Sequence, residues 1–222
     1  MDEIKLEIGK HELVLLPEKA VFWKNRDILI IADAHFGKVA HFRSEGIAVS
    51  PGAAGENLSS FAKLVQKFDP DRIIFLGDIF HSSYNREWDR LSNLFKQLKL
   101  FSRMDLVQGN HDILHPDLYE LAGINLNREL IEFHPFIFSH HPMAKQEIKE
   151  GQINIAGHIH PGVRLQGPGK QHTKLPCFYM KENRQLILPS FGVFTGIYKI
   201  RPSRQDRVFV IVENQIMEIP VD

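Results

Sequence analysis

Aliphatic and β-branched residues fall in short continuous runs along this chain. Ile28-Leu29-Ile30-Ile31-Ala32 is the clearest, and the same kind of run recurs at Ile73-Ile74-Phe75-Leu76, Leu106-Val107, Phe136-Ile137-Phe138 and Ile153-Asn154-Ile155-Ala156. Such runs suit strands buried on both faces. Ahead of them, Ile4 to Ile8 and Leu13 to Leu16 flank Gly9-Lys10 and predict an opening hairpin. Helical spacing appears between the runs. Leu58, Phe61, Ala62, Val65 and Phe68 form one stripe, with Pro70 as its stop, and Trp88, Leu91, Phe95 and Leu98 form another. Strand and helix thus alternate through the first two thirds, which predicts an α/β sheet. In the last third, Phe178 to Met180, Gln185 to Leu188, Tyr198 to Ile200 and Val208 to Val212 read as strands with turns between them. They predict a second, mostly antiparallel sheet packed on the first. No repeat, low-complexity tract or linker divides the chain, so residues 1–222 read as a single domain.

Composition narrows the chemistry. With 43% hydrophobic and 24% charged residues, the chain has the make-up of a soluble globular protein. Lys plus Arg and Asp plus Glu balance at 27 each, so no overall basic field draws it onto nucleic acid, and any such contact needs a local patch. The single cysteine, Cys177, excludes an intramolecular disulfide and a thiolate-only metal site. It follows Pro176 and opens an apolar run, which predicts a small buried hydrophobe. The charged start, Met1-Asp2-Glu3-Ile4-Lys5, has no apolar segment behind it, and no run is long enough to span a bilayer. These features predict a cytoplasmic protein without a membrane anchor. What stands out is 12 histidines in a neutral chain.

Their placement carries the functional signal. Each buried run is followed at once by metal-type ligands: Asp33-Ala34-His35, Gly77-Asp78, Gly109-Asn110-His111-Asp112, Ser139-His140-His141 and Gly157-His158-Ile159-His160. In open α/β sheets ligands bind outside the carboxyl ends of the strands, so these ends should deliver their side chains to one edge. Imidazole and carboxylate suit Mn, Fe, Co, Ni or Zn, and a carboxylate such as Asp78 can bridge two ions. Asp33-x-His35 and His158-x-His160 have alternation spacing, which in an extended segment puts both side chains on one side. Any one of these fragments is commonplace. Their recurrence at every buried strand end is not.

Taken in order, the blocks resemble those of the calcineurin-like metallophosphoesterases. More narrowly, the chain is similar to the DNA-ligase-associated metallophosphoesterases through Ala32-Asp33-Ala34-His35-Phe36-Gly37-Lys38, His41-Phe42-Arg43, Leu175-Pro176-Cys177-Phe178 and Leu188 to Gly196. It departs from that pattern at Ala34, where Leu is usual, and at Ile197, where a second Gly often follows. The resemblance implies a four-layer αββα sandwich. It implies that Asp33, His35, Asp78 and His160 hold one metal, and that Asp78 as bridge, Asn110, His140 and His158 hold a second. His111 would contact substrate rather than metal, and the metal most associated with close relatives is manganese. Activity on phosphodiesters, including 2′,3′-cyclic nucleotides, is implied, together with DNA ligase or helicase partners and a setting in nucleic-acid repair.

A two-metal site acidifies a bridging water and clamps phosphoryl oxygens. Against such a site His111 would stabilise developing charge or protonate the leaving oxygen, with Asp112 orienting it, and Arg43 could fork onto a phosphate. His141 reads as a neighbour of the ligands. The competing enzyme reading is a phosphomonoesterase or protein phosphatase, but those normally carry Glu where this chain has Asp112. A non-catalytic scaffold on the same fold would be expected to have lost ligands, and this chain retains the full set.

Overall fold

The structure is a computed structural model, and it describes residues 3–38, 52–166, 172–193 and 195–221, without the side chains of 52–54, 165, 166 and 172. Its first sheet has seven strands in chain order: β1 (Ile4–Ile8), β2 (His11–Leu15), β3 (Ala20–Trp23), β4 (Ile28–Ala32), β5 (Arg72–Leu76), β6 (Arg103–Val107) and β7 (Ile124–Asn127). β1 and β2 are the expected hairpin, and β1 to β4 pair antiparallel. From β4 to β7 the sheet is parallel. The connections carry α1 (Gly52–Phe68), α2 (Arg86–Leu98) and α3 (Pro116–Leu121). α1 stops at Asp69, which takes a left-handed φ of 43° before Pro70. α2 starts at Asn85, whose Oδ1 accepts the Glu87 amide at 2.8 Å and the Trp88 amide at 3.4 Å.

The second sheet has nine strands: β8 (Leu130–Phe133), β9 (Phe136–Ser139), β10 (Ile153–Ala156), β11 (Pro161–Gln166), β12 (His172–Lys181), β13 (Gln185–Ile187), β14 (Tyr198–Lys199), β15 (Arg207–Val212) and β16 (Gln215–Ile219). It is mostly antiparallel, as the turn spacing predicted, but β10 lies parallel between β9 and β13. Here the sequence-based expectation needs correction. The runs at Phe136 and Ile153 belong to this second sheet, not to the sheet of β4 to β6. A continuous apolar run reports burial on both faces and is silent about which sheet supplies the neighbours.

The alternation inside β4 shows how the layers are held. Ile28, Ile30 and Ala32 pack between the sheets with Leu76, Val107, Phe136, Phe138, Ile155 and Phe178. Leu29 and Ile31 point the other way, onto Phe61 of α1 and Trp88, Leu91 and Phe95 of α2. Burying each such side chain contributes about 1.5–3 kcal/mol. The far face of the second sheet carries a smaller cluster around Cys177, Tyr179, Val208 and Val210. Cys177 is the expected buried hydrophobe, and burial pushes its thiol up to about 12. No described helix is long and apolar enough to cross a membrane.

Candidate metal centre

Five strand ends meet at one edge of the sandwich, three from the first sheet (β4, β5, β6) and two from the second (β9, β10). They are stitched across the layers. The His158 amide donates to Asp33 Oδ2 at 2.8 Å, and His140 Nδ1 meets the Leu76 carbonyl at 2.9 Å. The late segment that carries the narrower family likeness backs the first loop: Ser190 Oγ donates to the Asp33 carbonyl at 2.7 Å, and the Phe191 amide to that of Ala32 at 2.9 Å.

The backbone at these ends is not extended, so the alternation argument for Asp33/His35 and His158/His160 does not apply to them. Asp33 (φ 51°), His35 (45°), Asp78 (51°), His158 (70°) and His160 (49°) are all left-handed. Each such residue costs on the order of 1–3 kcal/mol and persists only where its surroundings hold it. These positions lie just past the strands, where the chain must turn sharply and aim short side chains back over the sheet edge. Gly77 turns with φ 77°, and a Cβ there would lie 2.1 Å from His140 Nδ1. A Cβ on Gly109 would lie 2.3 Å from Asp78 Oδ1. Gly77→Ala should therefore lower unfolding free energy by roughly 2–4 kcal/mol, from strain plus overpacking. Urea unfolding measures this, and an unchanged midpoint would show that His140 is free to move aside.

The side chains fit a cation. Asp33 Oδ1 is fully buried and has no hydrogen-bond partner among the described residues, while His160 Nε2 stands 3.6 Å and His140 Nδ1 3.8 Å from it. A carbonyl only accepts, so His140 Nδ1 is the donor to Leu76, which leaves Nε2 as the nitrogen able to ligate. That nitrogen faces Asn110 Oδ1 at 3.0 Å, His158 Nδ1 at 3.1 Å and Asp78 Oδ1 at 3.7 Å. In the same way His160 Nδ1 meets the Gly196 carbonyl at 3.2 Å, which leaves Nε2 turned to Asp33. His35 Nε2 faces Asp78 Oδ2 at 3.8 Å. A buried carboxylate oxygen such as Asp33 Oδ1, which takes no donor from the described residues, is costly unless a cation sits against it. Burial, helped by the Lys38 charge and neighbouring histidines, pushes His35 down to about 2. Burial also lowers His141 and His158. Neutral rings are the form that ligates.

Ligand atoms within 4.8 Å of one another group as Asp33-His35-His160, Asp33-Asp78-His140 and His140-His141-His158. Asp78 lies between the His35 side and the His140 side, where a bridge belongs. His141, read from sequence as a neighbour, could reach the same ion as His140 and His158.

His111 is exposed. Its amide donates to Asp78 Oδ1 at 2.8 Å, which fixes its backbone beside the ligands. Asp112 was expected to orient that ring, but its hydrogen bonds go elsewhere. It is buried, with Oδ2 accepting the Asp78 and Gly109 amides, both at 2.8 Å, and Oδ1 the Ile79 amide at 2.9 Å. It clamps the second ligand loop to the third. Burial pushes its carboxyl up to about 7, against the pull of the Gly109 and Asp78 amides. Arg43 and His41 lie outside the described residues. Sequence reasoning missed His81, whose ring lies 4.1 Å from that of His111, centroid to centroid, and 4.9 Å from that of His35. Its only signal was position, three residues after Asp78.

The calcineurin-like phosphoesterase family model matches residues 26–172, which take in all of the candidate ligands. The crystal structure of the Pseudomonas putida nuclease MPE matches 98% of this chain and 100% of its own, with a TM-score of 0.80 and 27% sequence identity. A protein of unknown function from Aquifex aeolicus matches 60% of this chain and 78% of its own, at 20% identity and a TM-score of 0.44. Zn-complexed Vps29 from Entamoeba histolytica matches 86% and 96%, at 15% identity and a TM-score of 0.38. No curated protein sequence gives a significant match. With two-thirds of its length matched by the model, and the ligand-bearing strand ends inside that match, the chain belongs to the calcineurin-like phosphoesterase family.

Proposed function

We propose that this chain, acting as one domain over residues 1–222, is a metal-dependent phosphodiesterase of nucleotides or nucleic acids, 2′,3′-cyclic ends included. The observation that carries this reading is the convergence of carboxylate and imidazole ligand atoms on both sides of Asp78, with Asp33 Oδ1 buried and unpartnered among the described residues. Asp33, His35, Asp78 and His160 would hold one divalent cation. Asp78, Asn110, His140 and His158 would hold another. Manganese is the first choice, with Fe, Zn, Ni or Co also suited to this donor set. Bound cations supply an acidified water and neutralise charge on the phosphoryl oxygens.

The remaining residues have their own parts. His111 presents its ring from a backbone anchored on Asp78, ready to give a proton to the leaving oxygen or to stabilise charge there. Asp112 acts as a positioning residue through its amide clamp. Arg43 keeps its reading as a phosphate contact. The full-length likeness to a nuclease supports a nucleic-acid diester over a monoester. The resemblance of the Ala32 to Lys38 and Leu188 to Gly196 blocks extends the proposal to the DNA-ligase-associated subfamily, and with it to a repair setting and DNA ligase or helicase partners.

A panel of a monoester, a simple diester, 2′,3′-cyclic nucleotides and single-stranded DNA, each with Mn²⁺ or chelator, tests the reading. We expect cleavage of the cyclic and linear diesters with Mn²⁺ and none with chelator. Full activity in chelator would overturn metal dependence. Turnover of the monoester alone would overturn the diesterase assignment.

A further inference from the structure

The ligand imidazoles are not all oriented in the same way. His140 and His160 each place one nitrogen against a backbone carbonyl, of Leu76 and Gly196. His35 does not. Its Nδ1 lies 3.2 Å from Nδ1 of another side chain, His81. We propose that His81 is a positioning residue that fixes the tautomer of His35, and that it ties this ligand to His111. The inference rests on the metal centre proposed above.

The contact is built into the backbone. Beyond the ends of β4 and β5 the two chains go on pairing: the His35 amide donates to the Asp78 carbonyl at 2.8 Å, that of Phe36 to Ile79 at 2.9 Å, and that of His81 to Phe36 at 2.9 Å. His81 is thereby held beside a ring that is only 3% exposed. For His35 to offer Nε2 as a lone pair while neutral, its hydrogen must sit on Nδ1. That hydrogen needs an acceptor, and His81 Nδ1 is within reach of it. His81 then carries its own hydrogen on Nε2, and its face lies against His111 at 38° between planes. Without the acceptor, the His35 hydrogen can move to Nε2, where it blocks the metal position. Outer partners of metal-bound histidines act in this way and typically change metal affinity by 10–100-fold.

Two substitutions separate the acceptor from the ring. His81→Phe keeps a ring against His111 but removes the acceptor. His81→Asn keeps an acceptor near the old Nδ1 and removes the ring. Mn²⁺ titration by calorimetry, with a thermal melt of each protein, reads the outcome. We expect Phe to weaken the site that holds His35 by roughly 10–100-fold and Asn to stay close to the parent. Should the Phe variant not fold, His81→Gln, whose acceptor sits one bond further out, takes its place and should lose Mn²⁺ where Asn keeps it. Parent-like binding in Phe (or in Gln, where it stands in), or equal loss in that variant and Asn, overturns the role of His81 and leaves the metal centre standing. A His35→Ala variant that binds Mn²⁺ like the parent would instead remove His35 from the ligand set, and this inference with it.

Discussion

Asp78→Asn should abolish turnover, by at least about 10³-fold, beyond the 10²–10³ typical of removing one preorganised donor from an oxyanion site. The reason is position. Asp78 Oδ2 faces His35 and its Oδ1 faces His140, so one carboxylate serves both halves of the centre. Neutralising it should weaken both ions at once. Asp33 lies on the His160 side, with Oδ2 already accepting the His158 amide, and Asp33→Asn should spare much of the second ion. Both substitutions are sterically mild. Asn is among the residues best able to hold a left-handed backbone, which both positions require. A loss of metal in either variant therefore reports on charge rather than on folding. Counting bound Mn²⁺ decides the matter. Equal stoichiometry in the two variants would contradict a bridging Asp78.

Much of this centre was legible in the sequence, and the reason is local. A β-branched run ending in Asp-x-His or Gly-Asp states both a buried strand and what stands at its mouth, since both depend on neighbours in the chain. β4 and β10 fall on the runs from Ile28 to Ala32 and from Ile153 to Ala156. What was not legible depends on partners far away. Nothing in Phe136 to Phe138 says that β9 pairs with β10 in the second sheet, because burial on both faces looks alike in either sheet. The left-handed turns at Asp33, His35, His158 and His160 were hidden for a related reason. Side-chain alternation predicts direction only while the strand lasts, and these residues stand just outside it. Asp112 was legible only in part: its amide partner Gly109 is local, but Asp78 and Ile79, which make it a clamp between two loops, are more than thirty residues away. His81 has no spacing partner in sequence, and only the pairing of two loops sets it against His35.

His111→Ala should lower turnover by roughly 10²–10⁴, the range of general acid–base help, while both metal ions stay bound. The geometry makes this a clean substitution. The hydrogen bond of residue 111 to the ligand set comes from its backbone amide on Asp78 Oδ1, and alanine keeps that bond, losing only an edge-on ring contact with His35. The ring is exposed and leans on His81, so its removal leaves no buried cavity. Stability should change little, and metal content should not change. If the ring protonates the leaving oxygen, the loss should shrink for a diester that departs as nitrophenolate, which needs little protonation, and be full for a poor leaving group such as a nucleoside hydroxyl. An equal loss for both would assign His111 to holding the phosphoryl group in place. Loss of a metal ion in the variant would make it a ligand. Unchanged turnover with full metal content would remove His111 from the chemistry, and a non-catalytic scaffold or a different acid would then be the better account of this edge of the sandwich.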